Sequence, residues 1–250
     1  GCFIGSSLSC VDLIVYLYNN FLNIDYLNQN QQRDYFFLSK GHAVPALYSV
    51  LIEKEIISKK TIENHLKLKD NIYWHPNRNV KGIEFHFGSL GHGLSICVGV
   101  ALDCKLRKSD NNIVVMMGDG ELNEGSVWES VLVASALKLD NLILIIDRNM
   151  LQANMRTEEL IPLESIEKKF RAFNWNTAYI NGHDFSQMEH AFDYLPRGNK
   201  KPNLIIADTI RGKGIPAIEM KVDKWFVNLS DDDTKLYLNE LKVNCLELIK

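Results

Sequence analysis

Two polar side chains follow two apolar segments at the point where each segment ends. Asp119 comes shortly after the run Ile-Val-Val-Met-Met at 113–117, and Asn149 comes shortly after the run Leu-Ile-Leu-Ile-Ile at 142–146. Continuous apolar runs are typical of buried strands in a parallel sheet, whose carboxyl ends bind ligands. Asp119 and Asn149 are therefore predicted to meet around one Mg²⁺, which takes few protein ligands and fills its shell with phosphate oxygens and water.

Glycines flank the predicted cation ligand on both sides. Gly118 and Gly120 carry no side chain, so a phosphate group can approach the backbone closely at these positions. Two simpler interpretations stay open from the residues alone. Asp119 could be a turn or helix-cap carboxylate, and Asn149 could be an ordinary turn residue. Their positions after two matching strands favour a shared cation site.

Several segments of the chain resemble the transketolase family in the same order. The segment 118–125 (Gly-Asp-Gly-Glu-Leu-Asn-Glu-Gly) and the segment 147–152 (Asp-Arg-Asn-Met-Leu-Gln) resemble its thiamine-diphosphate signature. Further matches lie at 39–43, 75–76, 88–93 and 209–214, so the resemblance covers nearly all of the 250 residues. A lone Gly-Asp-Gly is a weak signal, whereas ordered motifs make a strong one.

The resemblance implies thiamine diphosphate and Mg²⁺ as cofactors. It makes Asp119, Asn149 and the main-chain carbonyl of Leu151 the cation ligands. Gly88, Ser89 and Leu90 would lie against the aminopyrimidine ring. The other residues that the resemblance assigns to the cofactor are His42, Gly118, Asp119, Gly120, Glu121, Asn149, Leu151, Ile210 and Lys213.

The resemblance also implies three catalytic residues, each with a simpler alternative. His42 would donate to the diphosphate from a helix start that favours anions, although a lone histidine there is often a surface or capping group. His75, held extended before Pro76, would hydrogen-bond the hydroxyl of a two-carbon unit, or it is a loop histidine. Glu124 would couple two active sites across a dimer. It could equally be a favourable charge at a helix N-terminus, worth about 0.3–1 kcal/mol, and both roles can hold.

The chain departs from the family pattern near the expected sugar end of the site. Phe3 and Phe226 stand where the family usually has histidines, and His86 stands where a Thr or Ser is usual. A phenylalanine can neither donate a hydrogen bond nor transfer a proton. We therefore expect the cofactor site to be kept and the sugar site to be altered.

The alternation of predicted elements indicates an α/β fold, with a doubly wound, mostly parallel sheet and helices on both faces. The resemblance makes this one thiamine-diphosphate-binding domain over 1–250. Predicted strands lie at 113–117, 142–147, 178–180 and 204–208. Predicted helices lie at 9–21, 44–55, 61–68, 94–106, 126–137, 185–195 and 234–249. The long irregular segment 72–93 is expected to be functional.

Composition limits the class of protein. A net charge of −3 and a hydrophobic content of 46% are ordinary for a soluble chain and favour neither nucleic acid nor a membrane as partner. The five cysteines are scattered without a Cys-x-x-Cys pair, and Cys97 and Cys104 are predicted to be core thiols. A reducing, cytoplasmic compartment is the expectation.

One part of a thiamine enzyme has no match in the sequence. The resemblance implies a separate pyrimidine-binding domain whose Glu activates the cofactor. Because Lys250 closes a predicted helix, we expect a natural subunit that works with a C-terminal transketolase-like chain, in an α2β2 assembly acting on small sugars. The predicted reaction moves a two-carbon ketol unit from a ketose to an aldehyde or keto-sugar acceptor. The alternatives are another thiamine-diphosphate carboligase, such as a deoxyxylulose-phosphate synthase, or a catalytically silent homologue.

Overall fold

A five-stranded parallel sheet forms the centre of the protein. The computed structural model describes residues 2–24, 32–67, 71–196 and 198–248. The strands of this sheet are β1 (Tyr35–Leu38), β2 (Ile113–Gly118), β3 (Leu142–Arg148), β6 (Asn176–Asn181) and β7 (Asn203–Asp208). Their order across the sheet is β1-β2-β3-β7-β6. Strands β4 (Leu151–Gln152) and β5 (Met155–Arg156) form a separate antiparallel hairpin.

Helices cover both faces of the sheet. Side chains that alternate along β2 enter two different cores: Val114 and Met116 pack on one face, and Val115 and Met117 pack on the other. The first face is covered by α1 (Ile4–Tyr16), α2 (Val44–Glu53) and α7 (Phe185–Asp193). The second is covered by α3 (Gly93–Leu106), α4 (Gly125–Ala136) and α6 (Ile166–Ala172). The predicted doubly wound α/β fold is confirmed.

The remaining helices lie outside these two layers. The short helix α5 spans Thr157–Leu160, and the C-terminal helix α8 spans Asp231–Leu248. Tyr237 and Leu241 of α8 pack with Ile215 and Ile218 in a small third core. None of the helices in the described part of the chain is long and apolar enough to cross a membrane.

The parallel arrangement brings distant segments to one edge of the sheet. Gly118 of β2 lies opposite Asp147 of β3, and Arg148 of β3 lies opposite Asp208 of β7. Because all five strands run in the same direction, the residues that follow β1, β2, β3 and β7 meet beyond their carboxyl ends.

Some elements differ from the sequence prediction. Helix α1 begins at Ile4 rather than at residue 9. The predicted helix at 61–68 is wrong, because a 3-10 turn occupies Lys59–Asn64 instead. Strand β1 and helix α6 were not predicted. Residues 68 and 249, which end two of the predicted helices, lie outside the described residues.

Candidate active site

A cavity of about 300 Å³ lies beyond the carboxyl ends of β1, β2 and β3. Its walls come from segments that are far apart in the sequence, which the parallel sheet places side by side. The predicted site residues that line it are His42, Leu90, Gly118, Asp119, Gly120, Glu121, Glu124, Asn149 and Leu151.

Asp119 is almost completely buried, with 1% of its surface exposed. Its Oδ1 accepts from Gly120 N at 2.8 Å, and its Oδ2 accepts from Met150 N at 2.8 Å and from Arg148 Nη1 at 2.9 Å. Burial raises the pKa of Asp119 to about 6, although Arg148 opposes the rise. A cation in the cavity would compensate for the lost hydration of this carboxylate.

Asn149 lies at the end of β3 with both ends of its amide engaged. Its Oδ1 accepts from Leu151 N at 3.1 Å, and its Nδ2 donates to Asp147 Oδ2 at 3.2 Å. The turn that follows takes Met150 through φ +65°. Asp119, Asn149 and Leu151 are therefore brought together on one wall of the cavity.

Arg148 connects Asp119 to the segment that follows the hairpin. Its guanidinium is fully buried and donates to Thr157 Oγ1 at 2.7 Å and to Glu164 Oε1 at 2.9 Å, in addition to Asp119. Glu158 accepts a further hydrogen bond at 2.5 Å. These contacts hold Arg148 in place, and Arg148 in turn holds the Asp119 carboxylate in one orientation.

Glu121 arranges the glycine backbone around the cavity. Its Oε1 accepts from Gly118 N at 3.1 Å, and its Oε2 accepts from Gly91 N at 2.9 Å and from Ser39 Oγ at 2.6 Å. Since each of its oxygens is used by the protein, Glu121 holds the walls of the cavity in place.

Gly91 and Gly120 are among the glycines that leave no room for a side chain. Gly91 has φ +82°, and a Cβ there would lie 2.5 Å from Cβ of Glu124. A Cβ on Gly120 would lie 2.9 Å from Cγ of Gln152. Glu124 comes directly before α4, lines the cavity and is exposed on its other side. This placement suits the favourable charge expected at a helix N-terminus, and the coupling role stays a prediction.

His42 is held at the rim of the cavity and stays neutral. Its Nε2 lies 2.8 Å from Ser6 Oγ. Burial, with help from the nearby Lys40 ammonium and His75, lowers the pKa of His42 to about 3. The His75 ring is close to the same segment, because a Cβ on Gly41 would lie 3.2 Å from its Cδ2. Burial also lowers the pKa of His75.

The lowered pKa of His42 predicts a pH dependence of stability. Protonation favours the unfolded state, so the contribution of His42 is present above pH 6.5 and is lost as the pH falls toward 3. The free energy of unfolding of His42→Gln should therefore fall less steeply with acid, by at most about 1.4 kcal/mol per pH unit. Urea unfolding from pH 7 to pH 4 measures this difference.

His190→Gln, which changes an exposed histidine of α7, is the control for this measurement. Parallel curves for His42→Gln and wild type would contradict the assignment.

Other predicted residues lie outside the cavity. His75 lies beside Gly88, with 3.7 Å between its Cγ and a Cβ built there, and Gly88 and Ser89 are exposed. Ile210 and Lys213 line a different cavity of about 610 Å³, on the other side of Arg148. Ile210 N donates to His183 Nε2 at 2.9 Å.

Several cavity residues were not predicted from the sequence. They are Ser6, Lys40, Gln152, Ala153, Arg211 and Trp225. Arg211 is 3% exposed and uses Nη1 and Nη2 on main-chain carbonyls, but its Nε has no partner in the described structure. Within the same described residues, Oε1 of Gln152 is also buried without a partner. Buried polar atoms without partners are costly, so a polar ligand fits here.

An aromatic cluster closes one side of the cavity. Phe3 lies 5.4 Å from the ring of His42, 5.0 Å from Trp225 and 4.9 Å from Phe226, as measured between ring centroids. Trp74 lies 5.7 Å from Phe226. An antiparallel bridge between Cys2 and Val227 ties the two chain segments of this cluster together. We call these four rings, Phe3, Trp74, Trp225 and Phe226, the aromatic cluster.

The family assignment comes from comparison with known proteins. The family described as "Transketolase, thiamine diphosphate binding domain" matches residues 2–247. The chain belongs to the transketolase family. The predicted family, fold class and cofactor are confirmed, since the matched domain of transketolases is the one that binds thiamine diphosphate.

Relatives and a solved structure support this assignment. The chain is 40% identical over 223 residues to one subunit of an apulose-4-phosphate transketolase from Phocaeicola vulgatus, covering 89% of this chain and 79% of the relative. It is 35% identical over 241 residues to a 6-deoxy-6-sulfo-D-fructose transketolase subunit from Clostridium sp., covering 96% and 88%. The crystal structure of Campylobacter jejuni transketolase superposes with a TM-score of 0.85 at 27% identity. This match covers 96% of our chain but only 41% of that longer transketolase.

The oxygen donors of the cavity fit the cation of a transketolase. Asp119, Asn149 and Leu151 offer a carboxylate, an amide and a main-chain carbonyl, which are hard ligands of the kind that Mg²⁺ prefers. Within the described residues, no group of three or more His, Cys, Asp or Glu side chains could hold a metal ion. A cation here would therefore rely on cofactor phosphates for part of its shell.

Proposed function

We propose that this chain supplies the Mg²⁺ and diphosphate half of a two-chain transketolase. The enzyme would transfer a two-carbon ketol unit from a ketose to an aldehyde or keto-sugar acceptor. The observation that carries the proposal is the cavity that gathers Asp119, Asn149, Leu151 and His42 with Arg211, whose Nε has no partner among the described residues. A cytoplasmic location and a single domain over 1–250 stay predictions.

Each residue has a definite part in the proposed reaction. Thiamine diphosphate, when bound, supplies the carbon nucleophile and takes up the electron pair released when the carbon–carbon bond breaks. Asp119, Asn149 and the Leu151 carbonyl would hold Mg²⁺. Arg211 would donate to the diphosphate with a permanent positive charge. His42, which is neutral at physiological pH, would donate one N–H without titrating.

Residues at the rim of the cavity would orient the substrate. His75 would hydrogen-bond the hydroxyl of the two-carbon unit. The Leu90 and Trp225 side chains supply apolar walls that keep water from the reacting atoms. The contribution of this chain is therefore placement of charge and orientation of the reactants.

The partner would carry the pyrimidine-binding domain and its proton-relaying Glu. Two relatives are named as transketolase subunits, which supports a second chain, and we propose an α2β2 assembly. Glu124 would then lie near an intersubunit contact, where it could couple two sites.

The choice of donor separates this function from the other thiamine-dependent carboligases. We expect the reconstituted two-chain enzyme to cleave a ketose donor and to leave pyruvate unused. A coupled assay with each donor at saturating thiamine diphosphate and Mg²⁺ tests this. Preference for pyruvate would favour the carboligase alternative. Tight cofactor binding with no turnover on either donor would favour a silent homologue.

The aromatic cluster indicates an altered sugar site. Phe3 packs between His42 and Phe226 and presents no hydrogen-bonding group to a substrate. An unpaired hydroxyl or charge against such a wall costs about 1–3 kcal/mol. Two relatives are named for apulose 4-phosphate and 6-deoxy-6-sulfo-D-fructose, which supports a substrate other than the usual pentose phosphates but does not bear on its polarity. We propose a less polar acceptor, such as a deoxy or nucleotide-linked keto sugar.

Restoring a histidine at position 3 should change the substrate preference. We expect Phe3→His to raise kcat/KM for xylulose 5-phosphate with ribose 5-phosphate, relative to less polar sugar pairs, by about tenfold, which corresponds to about 1.4 kcal/mol. Cofactor affinity should change little. Phe185→His, which replaces an exposed phenylalanine of α7, is the matched control. Wild-type activity on the pentose-phosphate pair at the level usual for transketolases would contradict the altered-site proposal.

A further inference from the structure

A buried ionic network lies directly behind Asn149. Asp147 is fully buried and its Oδ2 accepts from Ser9 Oγ at 2.6 Å and from Asn149 Nδ2 at 3.2 Å. The same oxygen accepts from Lys40 Nζ, and Oδ1 accepts from the Thr209 hydroxyl. Asp147 therefore joins segments that follow β1, β3 and β7 with a residue of α1.

The Lys40 ammonium donates its hydrogen bonds to residues of this network. Lys40 is 1% exposed, and its Nζ donates to Ser6 O at 3.1 Å, to Ser9 Oγ at 3.4 Å and to Asp147. An ammonium has three N–H donors, and the protein occupies all three. Although Lys40 lines the cavity, its main electrostatic partner is Asp147 rather than a ligand.

The network determines which end of the Asn149 amide faces Asp147. An amide group has a donor end and an acceptor end that are nearly equal in size. An ionised carboxylate only accepts hydrogen bonds, so it selects the Nδ2 end of Asn149. Oδ1 is then left on the other side, where it accepts from Leu151 N.

We propose that Asp147 is a positioning residue that holds Asn149 with its amide oxygen toward the cation. This inference rests on the Mg²⁺ site of the proposed function. An inverted amide would present an NH₂ group to a cation, which is repulsive. Groups that orient metal ligands typically affect metal affinity by about 10- to 100-fold when they are removed.

Replacing the ion pair with apolar side chains tests the proposal. The double variant Lys40→Met/Asp147→Leu removes one positive and one negative charge, so the net charge near the cation is unchanged. Replacing a buried ion pair by apolar groups of similar size is often neutral for stability. Because the hydroxyls of Ser9 and Thr209 also lose their acceptor, we expect the melting temperature to fall, with the variant still folded at the temperature of the binding assay. We expect the dissociation constant for Mg²⁺, measured calorimetrically on the two-chain complex with thiamine diphosphate present, to rise at least about tenfold.

A carboxylate at position 149 provides the rescue. Its two oxygens are equivalent, so it needs no orienting partner. Adding Asn149→Asp to the double variant should recover most of the lost Mg²⁺ affinity. The same change alone in the wild-type protein places two carboxylates side by side and should weaken Mg²⁺ binding. If Asp147 had only a structural role, Asn149→Asp would change the Mg²⁺ affinity in the same direction in the double variant and in the wild-type protein.

The outcomes separate this inference from the proposed function. If the double variant folds and binds Mg²⁺ within about twofold of wild type, while Asp119→Ala does not bind it, Asp147 is not a positioning residue. If Asp119→Ala binds Mg²⁺ normally, the proposed cation site itself is wrong. If the double variant fails to fold, Asn149→Asp alone decides: tighter Mg²⁺ binding than wild type would overturn the inference, and weaker binding would support it.

Discussion

Asp119→Ala is expected to abolish Mg²⁺-dependent binding of thiamine diphosphate. Asp119 is the only one of the three proposed cation ligands that carries a charge, and it is buried where water cannot replace it. Its removal also takes a buried carboxylate away from the Arg148 guanidinium, so part of that positive charge near the cation is no longer balanced. The loss of an attractive charge and the appearance of a repulsive one act in the same direction, so we expect affinity to fall more than about 100-fold.

Calorimetry on the two-chain complex measures this loss. Thiamine diphosphate is titrated at saturating Mg²⁺, with Asp103→Ala as the control, because Asp103 is an exposed carboxylate of α3. Asn149→Ala should weaken binding strongly but less than Asp119→Ala, since it removes a neutral ligand. Arg148 keeps its contacts with Thr157 and Glu164 in the variant, so the fold should survive. Near-normal binding by Asp119→Ala would refute the site.

The strands of the central sheet were the easiest part of the fold to predict. Residues of β2 and β3 are buried on both faces, so their apolar runs are continuous and end where the ligand-binding residues begin. Strand β1 is only four residues long and lies at an edge of the sheet, which gives a weak signal. The first turn of helix α1, which begins at Ile4, contains Gly5, Ser6 and Ser7, whose helix propensity is poor. All three are buried, so tertiary packing, which a local pattern does not show, determines its start.

The sequence predicts those site residues whose positions are set by the main chain at the ends of the strands. Asp119 and Asn149 come together because their strands are neighbours in register. The positions of Arg211 and Gln152 in the cavity depend on side-chain packing, which the sequence does not show. The structure identifies them because each has a buried polar atom that lacks a partner among the described residues. Ser6 enters the site because α1 is longer than its apolar pattern suggests. Ile210 and Lys213 were assigned by resemblance alone, and their place near a second cavity leaves their contact with cofactor a prediction.

The second large effect concerns the isolated chain, which is expected to catalyse no ketol transfer. Of the three residues proposed to contact the aminopyrimidine, Leu90 lines the cavity, and Gly88 and Ser89 lie outside it. Gly88 and Ser89 are exposed, and Leu90 has 39% of its surface exposed. A cofactor ring resting on these residues alone would keep one face in water, and the reacting atoms would not be shielded from solvent.

Two costs act together on the isolated chain. The proton-relaying Glu is expected on the partner, and removing a general acid–base group typically costs about 10²- to 10⁴-fold in rate. The exposed cofactor also loses binding free energy from the missing surface. Ketol transfer by the purified chain should therefore stay at background, and it should appear in proportion to added partner until one partner is present per chain. A coupled assay on preparations checked by mass spectrometry for residual partner measures this, with the Asp119→Ala complex as the inactive reference. Turnover by a partner-free preparation would mean that this chain completes the site by itself, and the two-chain proposal would be wrong.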